Sequence, residues 1–259
     1  MSVVRNTGSR IYVGKVPFAN TSPTEAAGTI LAASRQKQPL SVRLSNAYCV
    51  ALASKDSSYE ELLNGHGVNY PDGTPVVWFM RLLSRSAIPG RVRGPSLFKQ
   101  VLKASSEDGT KHYFLGTTDA TLNSLTSKLK QQYPDIQIAG QFSPPFGAID
   151  EKFLELCQNV CEESKPDLVW VALGTPKQDF VASALSIRLN RPCVAVGAAF
   201  DFLAGTAKEA PEWIQSSGME WAYRLFSEPR RLWRRYIFGN ARFLYSATFQ
   251  SNYATKTSG

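Results

Sequence analysis

The sequence predicts an α/β fold: a doubly wound, mostly parallel, Rossmann-like sheet with a helical, basic C-terminal appendage. Three observations predict it. From His112 to Val196, short apolar runs alternate with stretches of helical composition, the order that a parallel sheet requires. Leu168 to Leu173 is apolar throughout, as expected of a central strand covered on both faces. After Gly205 the alternation stops and arginines accumulate. The chain therefore divides into an α/β core over 1–203 and an appendage over 204–259.

Residues 1–10 read as a loose tail. Arg10 to Val16 reads as one strand closed by Pro17, and Thr24 to Gln36 as a helix capped by Ser22 or Thr24. Leu40 to Leu44 is a strand, and Tyr48 to Asn64 is largely helical in composition. Asn69-Tyr70-Pro71-Asp72-Gly73 is a strong turn signal, followed by a helix from about Pro75 to Ser84. His112 to Leu115, Ile136 to Gly140, Leu168 to Leu173 and Cys193 to Val196 are strands. The helices between them are Thr118 to Tyr133, Asp150 to Ser164 and Lys177 to Asn190, with Gln141 to Gly147 a loop around Pro144-Pro145. In the appendage, Ala210-Pro211 opens a helix that runs on as Trp213 to Phe226. Pro229 interrupts it, and a last helix follows. On a helical wheel, its Arg230, Arg231, Arg234, Arg235 and Arg242 face one side, and Leu232, Trp233, Tyr236, Ile237, Phe243 and Leu244 the other.

Composition removes several classes. With 43% hydrophobic and 19% charged residues, the 259-residue chain is not disordered. No apolar run reaches the ~20 residues that span a bilayer; the best, Val76 to Leu83, is broken by Arg81. The first ten residues lack the apolar core of a signal peptide, so a cytoplasmic protein is expected. Cys49, Cys157, Cys161 and Cys193 form no CxxC pair and read as buried thiols. A histidine-rich metal site is excluded by having only His66 and His112, and a serine-triad hydrolase would depend on one of these two. The net charge of +8 favours anionic partners: nucleic acid, phosphorylated substrates or an anionic membrane face. Half of that excess lies after Phe202, where eight Lys/Arg stand against four Asp/Glu.

Four segments carry candidate chemistry. Gly174-Thr175-Pro176-Lys177-Gln178 joins a buried strand to a helix, a place where a nucleotide diphosphate suits the free N–H groups. It serves equally as an ordinary strand–helix turn, and it is neither a Walker A nor a GxGxxG motif. Asp72 on its Pro-Asp-Gly turn is the best candidate for a general base, although such tripeptides most often simply make turns. The small residues of Gly197 to Gly205 would let a ligand approach the backbone, and Asp201 there is either functional or a structural cap. The cluster Arg224, Arg230, Arg231, Arg234 and Arg235 suits a diphosphate clamp or an anionic membrane, where each cation adds about 1 kcal/mol. A solvated charged face is the plain alternative.

Taken in order, these segments resemble the bacterial WecG/TagA/CpsF glycosyltransferase family. The resemblance is carried by Val13-Gly14-Lys15-Val16-Pro17, Asn46, Tyr70-Pro71-Asp72-Gly73, Val76-Val77-Trp78 and Arg91-Val92-Arg93-Gly94. It continues through Gly174-Thr175-Pro176-Lys177-Gln178-Asp179, Val196 to Gly205, Ala210-Pro211-Glu212-Trp213, Glu220 to Leu225 and Glu228-Pro229-Arg230-Arg231-Leu232. It implies an inverting transferase, peripheral on the inner face of the plasma membrane. Such an enzyme moves a hexose-type sugar from a UDP-sugar to a polyprenyl-diphosphate-linked saccharide, in cell-surface polysaccharide synthesis. The implied catalytic residues are Asp72, as base, and Arg91, as a substrate-binding arginine. The implied donor site is Asn46, Gly174, Thr175, Gln178 and Asp201. Arg224, Arg230, Arg231, Arg234 and Arg235 would meet the leaving diphosphate and the membrane, so that the appendage completes the site. No Asp-x-Asp motif occurs, so no metal or other cofactor is expected. No nucleic-acid partner is expected, and self-association on the membrane is compatible with the sequence.

Departures from the family pattern concern the donor sugar. Leu44 stands where Thr is common, Gly94-Pro95-Ser96 lacks an aspartate, Glu209 stands where Arg is usual, and Ser143-Pro144-Pro145-Phe146 replaces a His-Gly-Tyr-Phe. Two other classes stay open on the sequence: a dinucleotide-dependent α/β enzyme, which the missing GxGxxG disfavours, and a basic nucleic-acid-binding protein.

Overall fold

A computed structural model describes residues 10–84, 90–227 and 229–251. The strands are β1 (Arg10–Val13), β2 (Val16–Ala19), β3 (Leu40–Ser45), β4 (Val68–Pro71), β5 (Lys111–Gly116), β6 (Gln137–Phe142), β7 (Leu168–Ala172) and β8 (Pro192–Ala195). The helices of the first half are α1 (Pro23–Arg35), α2 (Ala47–Ala53), α3 (Ser57–Asn64), α4 (Thr74–Leu83) and α5 (Gly94–Ser105). Those of the second half are α6 (Asp119–Gln132), α7 (Glu151–Ser164), α8 (Lys177–Leu189), α9 (Ala199–Ala204), α10 (Glu212–Ser217), α11 (Glu220–Ser227) and α12 (Pro229–Phe249).

Six strands form one sheet in the order β4-β3-β8-β7-β5-β6, with every pairing parallel. Its central strands do not alternate polar with apolar residues, because both faces of the sheet are covered. On one face Val42, Phe114, Trp170 and Val194 pack under α1, α5, α6 and α9. On the other, Leu115, Val169, Val171 and Ala195 pack under α7 and α8. A further core joins the β1–β2 hairpin to α2, α3, α4 and α12 through Val13, Phe18, Val50, Tyr59, Met80 and Phe243.

The expected doubly wound sheet is present, and five local readings are corrected. Arg10 to Val16 is not one strand: the chain reverses at Gly14-Lys15 into a hairpin pairing Val13 with Val16, and Gly14 takes the φ of +61° that the tight turn needs. Asn69 to Pro71 belongs to edge strand β4 rather than to the turn, and an edge is where a strand tolerates proline. Tyr48 to Asn64 is two helices, because Asp56 accepts from the Tyr59 N–H and starts a new one. Trp213 to Phe226 is also two, since Gly218 closes α10 in the left-handed region. Gln141 and Phe142 end strand β6 rather than opening the loop around Pro144-Pro145; Gly197 to Gly205, given no element by the sequence, holds the short helix α9. The sequence reading assigned nothing between Ser84 and His112, where α5 buries Leu97, Phe98, Val101 and Leu102.

Of the apolar side that the wheel gives the last helix, Phe243 is buried while Trp233 and Leu244 are exposed, and the side chains of Leu232, Tyr236 and Ile237 lie outside the described residues. Ser246 and Ala247 are buried beside Phe243. Gly14 N–H donates to Ser251 Oγ at 2.7 Å, which ties the end of the described chain to the hairpin.

His112 is structural. His112 Nδ1 accepts from the Trp170 indole at 3.1 Å, so its proton sits on Nε2, 2.9 Å from Ser105 Oγ. Burial pulls its pKa down to about 4, against the attraction of Asp108 and Asp167. It lies near the amino end of β5, inside the core. His66 is likewise pushed down, by burial first and then by the Arg43 charge. His112 is thus enclosed in the core with both ring nitrogens engaged, and all four cysteines are buried thiols.

Because the folded pKa of His112 lies below the ordinary 6.5, the unfolded chain takes up a proton first as pH falls. Stability from this residue is complete above pH 6.5 and is lost between 6.5 and about 4, by about 3 kcal/mol. His112→Asn keeps an acceptor for the indole but cannot ionise. Urea denaturation across that pH range should show a steeper acid loss for the parent than for the variant; equal slopes would remove the assignment.

Candidate active site

Ligands of parallel sheets bind beyond the strand carboxyl ends, where the strand order reverses. Here β3, β4, β5, β7 and β8 all end on one side, and two cavities open there. The larger, about 640 Å³, is polar and is lined by Arg93, Gly174, Thr175, Lys177, Gln178, Gly197 and Asp201. The smaller, about 330 Å³, is lined by Pro75, Trp78, Phe79, Arg91, Trp221, Phe243 and Leu244. Asn46, Tyr48, Asp72 and Glu220 line both.

Asp72 is placed by backbone. Its N–H donates to Ser45 O at 2.9 Å, and Val92 N–H donates to Pro71 O just before it. Gly73 follows with φ of +123°, a conformation that L side chains rarely adopt, and the chain turns at once into α4. The carboxylate is therefore held on a short, constrained corner between an edge strand and a helix.

Asn46 ends β3 and caps α2, its Oδ1 accepting from Tyr48 N–H at 3.0 Å. Gly174 and Thr175 lead into α8. Gln178, in the first turn of α8, is 3% exposed and its Oε1 has no protein partner, so a buried amide oxygen faces the polar cavity unsatisfied. Asp201 is half-buried in α9; its carbonyl accepts from Thr206 and Ala207 N–H, and its carboxylate accepts from the Thr206 hydroxyl at 3.4 Å. The five donor-site residues and Asp72 thus share one cavity.

Arg91 lies elsewhere, in the aromatic cavity. It donates to Gln215 O at 2.7 Å and to Glu220 at 2.5 Å. Arg93, which the sequence reading quoted but did not select, is buried beside it and donates to both Glu220 oxygens, at 3.0 and 2.9 Å, and to Glu209. Burial pushes the Glu220 carboxyl up, but the hydrogen bonds and charges of Arg93 and Arg91 outweigh it and hold it below the usual range. Glu209, the departure noted before Ala210-Pro211, also meets Lys99 at 3.1 Å. A signal for Glu220 existed: it is one of only two carboxylates after Glu212, in an arginine-rich segment.

Arg230 begins α12 and is exposed. Arg224 falls in α11 and Arg231, Arg234 and Arg235 in α12, but their side chains lie outside the described residues. No helix among the described residues is long and apolar enough to cross a membrane.

Residues 11–257 match the sequence profile of the Glycosyl transferase WecG/TagA/CpsF family. The chain belongs to this family. It is similar to the N-acetylglucosaminyldiphosphoundecaprenol N-acetyl-beta-D-mannosaminyltransferase of Bacillus subtilis (strain 168), with 30% identity over 71% of this chain and 70% of that one. The protein of the same name from Bacillus spizizenii is 29% identical over the same shares. Membership of the glycosyltransferase family decides among the three function classes left open by the sequence.

Glu220→Gln should loosen α10 and α11 from the core, because the buried Arg93 and the half-buried Arg91 lose their shared carboxylate. We expect a loss of about 3 kcal/mol in urea denaturation at pH 7. Since the folded pKa of Glu220 is depressed, the difference between parent and variant should persist above the ordinary carboxylate range and shrink as pH falls through it. A variant as stable as the parent at pH 7 would show that the network does not hold the C-terminal helices.

Proposed function

We propose that this chain transfers a hexose-type sugar, with inversion, from a UDP-sugar to a saccharide on polyprenyl diphosphate, with Asp72 as general base. The observation that carries the reading is the place of Asp72 in the wall of two chemically different cavities. The polar cavity, at the N-terminus of α8, suits a nucleoside diphosphate and its sugar. The uridine donor is the one that the family resemblance implies. The aromatic cavity suits the acceptor saccharide, whose apolar ring faces pack on side chains such as Trp78 and Trp221. The names of the two Bacillus relatives, which specify a diphosphoundecaprenol-linked acceptor, support that class.

In this reading the acceptor hydroxyl gives its proton to the Asp72 carboxylate as its oxygen attacks C1 of the donor sugar from the face opposite the nucleotide. The C1–O bond breaks, and UDP leaves with the electron pair. One displacement inverts C1. The charge growing on the diphosphate meets Arg93, Lys177 and the N-terminus of α8, and the arginines of α11 and α12 can add to these when the acceptor is in place. The unsatisfied Gln178 oxygen gives the donor a buried acceptor for one of its own N–H or O–H groups. The enzyme works as a peripheral protein on the inner face of the plasma membrane.

Asp72→Asn should lower kcat by about 10²–10⁴-fold and leave the thermal shift produced by UDP unchanged. Unaltered turnover would remove Asp72 as the base, and a shift with NAD but none with UDP would overturn the donor class. Because cations of the chain neutralise the leaving group in this scheme, transfer should persist undiminished in excess EDTA. Loss of activity in EDTA, restored by a divalent cation, would overturn that part.

A further inference from the structure

The aromatic cavity opens among α4, α11 and α12, and its mouth is apolar on the outside as well. Trp78 is 58% exposed on α4 and Leu244 54% exposed on α12, and both also line the cavity. Leu82, one turn beyond Trp78, is 79% exposed. These side chains are spare to the fold: α4 packs through Val76, Val77 and Met80, and α12 through Phe243, Ser246 and Ala247. Contact between Phe79 and Phe243, 5.4 Å between ring centres and edge to face, holds the two helices together. On the exposed side of α12, Tyr245 and Phe249 form an aromatic pair at 5.3 Å. α4 and α12 carry six arginines and no acidic residue, and Arg81, Arg230 and Arg242 are exposed.

We propose that α4 and the outer face of α12 form a lip that dips into an anionic bilayer, so that the aromatic cavity opens sideways into the lipid. Exposed Trp, Leu and Tyr side chains enter the headgroup boundary, and the arginines between them meet lipid phosphates. The sequence placed membrane contact on the C-terminal appendage alone; α4, from the first half of the chain, is the added part. The lip explains why an apolar patch stands at the rim of a cavity rather than on a closed surface. A prenyl chain could then stay in the bilayer while its saccharide reaches Asp72. That last step rests on the transferase reading; the bilayer contact does not.

The test is sedimentation of the full chain with vesicles of phosphatidylcholine containing phosphatidylglycerol. Leu82→Glu on α4 and Tyr245→Glu on α12 should each weaken binding at least tenfold. Ile187→Glu on α8, an equally open apolar position away from both helices, should change nothing. With Leu82→Glu, transfer to a vesicle-borne polyprenyl acceptor should fall in parallel, while transfer to a short-chain, water-soluble acceptor and the UDP thermal shift stay at parent levels. Parent-like vesicle binding by Leu82→Glu would overturn the lip, and so would an equal loss in Ile187→Glu. A parent that is dimeric without vesicles and made monomeric by Leu82→Glu would overturn it too, assigning the face to a second copy of the chain. Should the parent transfer no sugar to either acceptor, the transferase reading fails, and vesicle binding alone decides the lip.

Discussion

Two arginines from the connection between α4 and α5 share one carboxylate from α11, and the arrangement of the site depends on that meeting. Arg91 and Arg93 stand two residues apart in an extended segment, and both reach Glu220. Each charge is largely withdrawn from water, so none can be left alone without a large cost. The bond therefore fixes where α11 begins, and through it the side of the cavity that the C-terminal helices supply. Glu209 adds a second carboxylate to Arg93 from the segment before α10. A charge reversal that looks arbitrary in a sequence is thus matched by a buried partner over 100 residues away.

A second polar network anchors the opposite side. Arg43 is fully buried on β3 and donates to Asn69 Oδ1, Leu62 O and His66 O, at 2.8, 2.8 and 3.0 Å. Asn69 in turn donates to Pro17 O and Leu63 O. Burial draws the Arg43 pKa down to about 10, although nearby Asp179 favours the charge. Asp179 accepts from the Tyr59 hydroxyl at 2.7 Å. These bonds lock the hairpin, α3 and α8 to the edge of the sheet that carries Asp72. Asp72 is thus held by rigid elements on both flanks, the condition under which a carboxylate can keep its place through a proton transfer.

The core was legible because it obeys simple rules. A run such as Leu168 to Leu173 has one physical explanation, a strand covered on both sides, and caps such as Ser22, Thr118 and Asp150 satisfy N–H groups within their own helices. The errors fell where two short elements meet. Asp56-Ser57-Ser58 is a helix-start signal, but the helical composition on both sides of it hides the break, and Gly94-Pro95 looks like loop punctuation when it is the first turn of α5. The packing face of α12 keeps Phe243 from the wheel's apolar side but turns toward Ser246 and Ala247, for a related reason. A wheel ranks sides by polarity, but which side is buried depends on what lies against it, here Gly14, Val50 and Phe79.

The sequence by itself determined the α/β class, the succession of its core strands, the corner that carries Asp72 and the strand-end motifs of the polar cavity around Gly174, Gln178 and Asp201, because these depend on local patterning and on short motifs at strand ends. Only the tertiary structure decided that Arg91 faces a different cavity from Gln178, that Arg93 and Glu209 are partners, and that α4 and α12 border the same aromatic opening. Those facts depend on distances between segments far apart in the chain. Charge pairing and burial are set by such distances, and no local pattern contains them.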